Sequence, residues 1–168
     1  VIPESGRLEA PVRFAVDAML GRLARWLRIL GHDVAYGPHL RRRTLLACAR
    51  QEGRLVLTRD TRLVRERNLP PHLFIVSDHF REQLRQVADV VPLRADTFLG
   101  RCLDCNRPLE TVSREHACGQ VPAYVWATRT EFHRCSGCAR LYWPATHHEH
   151  MRRELAAAGL VAVAEVPA

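Results

Sequence analysis

The chain has 168 residues, of which 47% are hydrophobic and 26% charged, and its formal net charge is +7. This composition excludes a wholly disordered basic tail, because the apolar side chains suffice for a packed core. The sequence shows neither an uninterrupted apolar run of about 18 residues nor the pattern of a secretory leader. We therefore expect a cytoplasmic protein that has no association with a membrane.

Strand and helix patterns alternate over the first part of the chain. Short runs of β-branched and aromatic residues predict strands over 12–16, 33–36, 55–58 and 73–76. Helical spacing of apolar residues predicts helices over 18–30, 42–52, 61–67 and 79–90. Helices between successive strands imply right-handed crossovers, so the strands form a parallel sheet with helices on both faces. The predicted fold class is α/β.

Aspartates follow three of the predicted strands. Asp17, Asp60 and Asp78 each lie at a strand end or within two residues of it. The carboxyl ends of parallel strands meet at one edge of the sheet, and three carboxylates gathered there need a cation such as Mg²⁺ or Mn²⁺. Such an ion activates a water and neutralises charge on a phosphodiester. The pattern favours a metal-dependent nuclease, and the competing interpretation is that each aspartate only caps a helix.

The basic residues are all arginine, and the positive excess lies wholly within residues 1–101. Guanidinium groups bind phosphate oxygens in a forked geometry, which favours RNA as a partner, although a genome that prefers arginine codons also explains the lack of lysine. The spacing places Arg22, Arg25 and Arg28 together on the surface of the first helix, and Arg59 follows the third strand. We expect Arg22, Arg25 and Arg59 to bind substrate phosphates; a solvated helix face is the alternative for the first two.

The second part of the chain carries two Cys-x-x-Cys pairs. They are Cys102 with Cys105 and Cys135 with Cys138. Four thiolates from two tight turns form the tetrahedral set of a closed structural site, so we expect a Zn²⁺ ribbon. Disulfides and thioredoxin-like redox chemistry are the competing interpretations.

The residues around these pairs complete the predicted ribbon. Strand patterns over 122–126 and 132–134 indicate an arm between the two pairs, and a helix is expected to run to about residue 158. The two remaining cysteines, Cys48 and Cys118, are expected to be buried free thiols.

Three parts of the sequence resemble the Mut-seven C-terminal RNase family. They are VDAMLGRLARWLR over 16–28, LTRD over 57–60, and the two Cys-x-x-Cys pairs. The resemblance implies a PIN-like ribonuclease domain followed by a zinc ribbon. It also implies that Asp17, Asp60 and Asp78 hold Mg²⁺ or Mn²⁺, with a hydroxyl of Thr58 or Ser77 assisting.

The expected organisation follows from this resemblance and from the change in composition near residue 100. We expect a linker or lead-in over 1–11, a PIN-like nuclease domain over 12–98, a zinc ribbon with its helix over 99–158, and a tail over 159–168. The start at Val1 reads as a processed terminus or as a cut from a longer protein with an upstream domain.

One segment departs from the family pattern. Relatives that this chain resembles carry acidic residues at the start of the second helix, where this sequence has Arg41, Arg42 and Arg43. Positive charge at that place favours phosphate binding and opposes a cation. A catalytically inactive RNA- or ribosome-binding module is therefore the alternative function.

Overall fold

A computed structural model of the protein describes residues 12–37, 40–93, 100–144 and 146–158. The expected lead-in over 1–11 and the expected tail over 159–168 lie outside the described residues. So do residues 94–99, where the boundary between the two expected domains falls.

A four-stranded parallel sheet forms the centre of the first part. Its strands are β1 (Phe14–Val16), β2 (Val34–Ala35), β3 (Leu55–Thr58) and β4 (His72–Phe74). Their order across the sheet is β2-β1-β3-β4, and every pair is parallel. The α/β fold class predicted from the alternating pattern is thus confirmed.

Helices cover both faces of this sheet. They are α1 (Gly21–Ile29), α2 (Arg42–Glu52) and α3 (Phe80–Val90). Side chains alternate along each strand, so Phe14 and Leu57 pack in the larger cluster with α1 and α3, whereas Ala15 and Val56 pack with α2. The larger cluster also receives α6 (Thr146–Ala157), which reaches back to α3 from the end of the described chain.

A second, antiparallel sheet holds the cysteine-bearing part. Its strands are β5 (Leu109–Val112), β6 (Phe132–Cys135) and β7 (Leu141–Tyr142), in the order β5-β6-β7. Two short helices, α4 (Arg114–Ala117) and α5 (Ala123–Thr128), connect β5 to β6. Ala117, Val125 and Phe132 give this part its own small core.

Two of the element predictions are wrong. Residues 122–126 were expected to be a strand, but Pro122 stands at the N-cap of α5 and its carbonyl accepts the N–H groups of Val125 and Trp126. The expected helix over 61–67 is only a 3₁₀ turn, Leu63–Arg65, in which Leu63 is buried and Arg65 is exposed. Each segment buries one apolar residue, Val125 in the first and Leu63 in the second.

None of the described helices is both long enough and apolar enough to cross a membrane.

Candidate active site and cysteine centre

The order of the strands places a topological switch point at the carboxyl edge of the parallel sheet. The chain leaves β1 for β2 on one side and then returns to β3 on the other side of β1. Ligands of open α/β sheets bind at such a switch point, outside the carboxyl ends of the strands. Asp17 directly follows β1, and Arg59 and Asp60 directly follow β3. Two of the three predicted aspartates therefore lie at the switch point.

Asp17 is the buried centre of this edge, with only 7% of its surface exposed. Its Oδ1 accepts the Met19 N–H at 2.8 Å, which caps the 3₁₀ turn Ala18–Leu20. Its Oδ2 accepts the Arg59 N–H at 2.8 Å and the hydroxyl hydrogen of Thr58. The side chain is thus a helix cap, as the competing interpretation held, and it also ties β1 to the end of β3.

Thr58 connects Asp17 to Asp60. The Asp60 N–H donates to Thr58 Oγ1 at 3.0 Å, while the same hydroxyl donates to Asp17. Of the two hydroxyls implied by the family resemblance, Thr58 belongs to this network. Ser77 instead donates to the Glu82 carboxylate at 2.5 Å.

Asp60 forms an ion pair with an arginine of α2. Its Oδ2 lies 2.8 Å from the Arg42 guanidinium, and its Oδ1 accepts the Arg62 N–H at 2.8 Å. Burial alone would raise the pKa of Asp60, but the Arg62 N–H and the Arg42 guanidinium outweigh it and lower that pKa below its ordinary value. The carboxylate is therefore kept charged by a cation that the chain itself supplies.

Asp78 lies farther out and is paired with Arg59. Its side chain is 80% exposed and accepts a hydrogen bond from the Arg59 guanidinium, which lowers the pKa of the carboxyl. β4 ends at Phe74, so Asp78 stands four residues beyond its strand. Arg59 thereby joins Asp17, through its backbone N–H, to Asp78, through its side chain.

The three aspartates share one network, but their carboxylates do not converge. Over residues 12–37, 40–93, 100–144 and 146–158, a single group of three or more His, Cys, Asp or Glu has its ligand atoms all within 4.8 Å of one another, and it consists of the four cysteines. Carboxylate oxygens are the ligands that Mg²⁺ and Mn²⁺ prefer. In the structure, the guanidinium groups of Arg42 and Arg59 balance the negative charges of Asp60 and Asp78, as such an ion would.

The structure shows what the arginine run at the start of α2 does. Arg42 donates to Asp60 and, at 3.3 Å, to Glu66, whereas Arg41 and Arg43 are exposed. The sequence predicted positive charge near this edge but not which arginine would pair. The way α2 packs against the sheet determines which arginine reaches Asp60. The spacing of residues in the sequence does not show this packing.

The predicted RNA-binding arginines occupy different surroundings. Arg59 belongs to the aspartate network, and Arg22 stacks over the Phe80 ring with its Cζ 4.5 Å from the ring centre. Arg25 is exposed and makes no hydrogen bond or ion pair within the part of the chain that the structure describes. Arg28 was expected on the same surface, but it is buried, with 5% exposure.

The four cysteines of the two pairs meet at the base of the second sheet. Cys102 Sγ lies 3.6 Å from Cys138 Sγ, and Cys105 Sγ lies 3.2 Å from Cys135 Sγ. Sulfur ligands of a tetrahedral zinc ion, each about 2.3 Å from the metal, stand about 3.8 Å apart. The set could hold a metal such as zinc, and none of the six cysteines forms a disulfide.

Each cysteine pair belongs to a tight turn, which we call the first knuckle (residues 102–106) and the second knuckle (residues 135–139). The N–H of Asn106 donates to the Cys102 carbonyl and that of Ala139 to the Cys135 carbonyl, both at 3.0 Å. Asn106 and Ala139 both have positive φ angles, 64° and 58°. The backbone conformation of the two turns by itself therefore brings the sulfur atoms together.

The chemistry around Cys102 favours its thiolate. Burial alone would raise the pKa of this thiol, but the Cys105 N–H and the Tyr142 hydroxyl, which lies 3.1 Å from Cys102 Sγ, lower the pKa to about 7. A thiolate is the form that binds a metal. Tyr142 is thus a supporting residue that the sequence did not reveal.

The two cysteines outside this centre differ from their prediction. Cys118 is exposed, whereas Ala117, at the end of α4, is buried. Cys48 is only half-buried and contacts Glu52 at 3.3 Å.

The first knuckle is fastened to the edge strand β2 of the parallel sheet. The Arg28 guanidinium donates to the carbonyls of Leu103 and Asp104 at 2.7 and 3.0 Å, and to that of Val34 at 2.9 Å. Asn106 Oδ1 accepts the Val34 N–H at 2.9 Å. Hydrogen bonds to the outer backbone edge of β2 therefore join the cysteine-bearing part to the α/β part.

A comparison with models of known protein families gives a match. The family model described as the Mut7-C RNAse domain matches residues 12–155, which is most of the chain. Searches of curated proteins and of solved structures gave no match.

Proposed function

Because the chain belongs to the Mut7-C RNAse domain family, we propose that it is a ribonuclease that cleaves RNA phosphodiester bonds with the help of Mg²⁺ or Mn²⁺. Asp17, Asp60 and Asp78 would hold the ion once Arg42 and Arg59 release the last two carboxylates and the three side chains move together, because their oxygens do not converge in the structure. The observation that carries the proposal is the position of Asp17, buried at the switch point and bonded to both Thr58 and Arg59. An acidic group at that place, in a part of the chain with excess positive charge, fits phosphodiester chemistry.

The residues of the chain would divide the work as follows. A bound divalent ion supplies an activated water and balances charge on the phosphate. Asp17 is fixed by three hydrogen bonds, so its carboxylate keeps one orientation. Arg59 has 21% of its side chain exposed and would exchange Asp78 for a substrate phosphate. Within the domains expected from the sequence, a PIN-like domain would cut the RNA and a Zn²⁺ ribbon would support it.

A second candidate is an RNA-binding module that does not cleave. It is favoured by the pairs Arg42–Asp60 and Arg59–Asp78, in which guanidinium groups already neutralise two of the three carboxylates. In such a module, RNA phosphates would compete with these carboxylates for the arginines, and an ion would be unnecessary.

A cleavage assay on labelled single-stranded RNA separates these candidates. The ribonuclease proposal predicts cleavage that requires added Mg²⁺ or Mn²⁺ and stops when the ion is withheld. Binding that falls steeply with salt, without cleavage at any Mn²⁺ concentration, would overturn the ribonuclease proposal and support the module.

Replacing Arg42 with serine is expected to strengthen Mn²⁺ binding and to raise cleavage at low Mn²⁺. The reason is that the variant removes the cation that competes for Asp60, and the gain should stay below about tenfold because this ion pair is partly exposed to solvent. Calorimetric titration with Mn²⁺ measures the effect. The control is Arg43→Ser, which removes the same charge from an exposed neighbour without a contact to Asp60. Equal Mn²⁺ affinity in the two variants would contradict the expectation.

A further inference from the structure

We propose that a cavity between α1, the end of β2 and the first knuckle binds one nucleotide of the RNA strand, beside the position of cleavage. We call it the junction cavity. Its volume is about 420 Å³, which lies within the usual range of small-ligand sites. The inference rests on the proposed function and deepens it, because it names where a flanking nucleotide of the substrate would lie.

The junction cavity lies at the same edge of the sheet as Asp17. Gly21, at the start of α1, is four residues beyond Asp17, and Tyr36 and Gly37 directly follow β2, the neighbour of β1. These residues line the cavity together with Arg25, Leu103 and Asp104. An RNA strand that crosses the carboxyl ends of β3 and β1 would therefore continue into this cavity on the β2 side.

The charges lining the cavity favour a phosphate. Arg25 is exposed and has no hydrogen-bonding or ionic partner among the described residues. Asp104 also lines the cavity, but the Arg140 guanidinium neutralises it. Arg28 lies beneath and already donates to backbone carbonyls of both walls. The guanidinium of Arg25 is thus available for a ligand, and it suits a phosphate of single-stranded RNA.

The walls are held in place by close packing and by Arg28. The Tyr36 hydroxyl lies so close to Gly21 that a Cβ at residue 21 would collide with it. Arg28 donates to the Tyr36 carbonyl at 3.1 Å and to the Leu103 carbonyl at 2.7 Å, so it joins the β2 wall to the knuckle wall. Tyr36 also packs against the larger apolar cluster. An aromatic residue beside an unpaired guanidinium is a combination with which proteins bind the base and phosphate of single-stranded nucleic acid.

This arrangement gives the cysteine centre a part in substrate binding. The first knuckle supplies Leu103 and Asp104 as one wall, and the cysteines on either side of them, Cys102 and Cys105, belong to the centre. Holding this turn in one conformation would keep the cavity open to a nucleotide. The α/β part and the cysteine-bearing part would then bind the same RNA strand.

RNA-binding measurements on Arg25 variants test the inference. Fluorescence anisotropy with a labelled single-stranded RNA, without Mg²⁺ or Mn²⁺, gives the affinity at several salt concentrations. Arg25→Gln is expected to weaken binding about three- to tenfold and to reduce the slope of log affinity against log salt by about 0.7, the value for one phosphate contact of a single strand. Arg25→Lys should restore most of the slope.

The matched control is Arg67→Gln. Arg67 is exposed and precedes Asn68, whose carbonyl accepts a hydrogen bond from Arg50 in the last turn of α2. Arg67 therefore lies near the amino ends of the strands, away from the carboxyl edge. Equal salt slopes for Arg25→Gln, Arg67→Gln and the original protein would overturn the inference while leaving the ribonuclease proposal in place. Failure of the original protein to bind or cleave RNA would overturn both.

Cross-linking gives a second, independent readout. RNA that contains 4-thiouridine, irradiated in complex with the protein, should yield cross-linked peptides that include Tyr36 or Leu103. A map in which RNA attaches only to peptides distant from the junction cavity would contradict the inference, even if Arg25→Gln weakens binding.

Discussion

Asp17→Asn is expected to lower the rate of RNA cleavage by at least about 100-fold. This is the upper end of the loss found when only a supporting partner of a metal ligand is changed, and Asp17 is itself a proposed ligand. The affinity for RNA should change little, because the substitution removes no phosphate-binding arginine. Single-turnover cleavage and anisotropy measured on the same preparation give the two quantities. A folded variant that cleaves at the original rate would exclude Asp17 from the reaction.

The same substitution is expected to cost stability. Asp17 accepts hydrogen bonds from two backbone N–H groups, those of Met19 and Arg59, and is almost fully buried. An asparagine amide would turn an N–H donor toward one of these donors and leave it unsatisfied, at a cost of about 1–3 kcal/mol. Chemical denaturation measures this loss, and cleavage rates must be compared at temperatures where both proteins are folded.

The variant Thr58→Val separates the loss of cleavage from the loss of stability. It removes the hydroxyl that donates to Asp17 and accepts the Asp60 N–H, but it keeps the Asp17 carboxylate. We expect a similar loss of stability and a loss of cleavage of only about tenfold, as for a supporting group. If the two variants lost cleavage equally, the carboxylate would have no role beyond its hydrogen bonds.

The sequence predicted the parts of the site that depend on local pattern. The hydrophobic run of β1 stops at Asp17 and that of β3 stops just before Arg59, so a parallel sheet places both at its carboxyl edge. The cysteine centre was predicted for the same reason, because each pair lies within one tight turn. In each case a few neighbouring residues determine both the conformation and the chemistry.

Contacts across long stretches of chain could not be predicted in this way. Arg28 has the helical spacing of an exposed arginine stripe, yet it is buried because carbonyls of the first knuckle, 75 and 76 residues away, accept its hydrogen bonds. Arg42 likewise pairs with Asp60 only because α2 packs against the sheet next to β3. The periodicity of a sequence shows which side chains lie on the same face of a helix. It does not show which later segment of the chain packs over that face.

Removing the metal from the cysteine centre is expected to unfold the cysteine-bearing part. Structural zinc binds to zinc-finger peptides with about 10–16 kcal/mol, which equals or exceeds the whole stability of a typical domain. The apolar core of this part is small, with Ala117, Val125 and Phe132 at its centre. Cys135→Ser should therefore abolish zinc retention, measured by elemental analysis of protein purified under reducing conditions, and should remove the thermal transition of this part.

Cys118→Ser is the matched control, since Cys118 is an exposed free thiol outside the four-cysteine set. This variant should retain one zinc per chain and the original melting temperature. Loss of zinc in Cys118→Ser, or full zinc in Cys135→Ser, would contradict the assignment of the centre.

Loss of the metal should also reduce the protection of the edge strand β2 from hydrogen exchange. The Val34 N–H donates to Asn106 Oδ1, and the Val34 carbonyl accepts Arg28, so the first knuckle closes the outer side of β2. We expect hydrogen exchange at Val34 to accelerate in Cys135→Ser, while amides of the central strand β3 keep their protection. Asn106→Gly tests this contact, because it removes the acceptor for Val34 and the donor to Asp33, accepts the positive φ of this position without strain, and leaves all four cysteines in place. Faster exchange at Val34 in both variants, with zinc lost in only one, would show that the knuckle itself, rather than the ion, protects the edge strand.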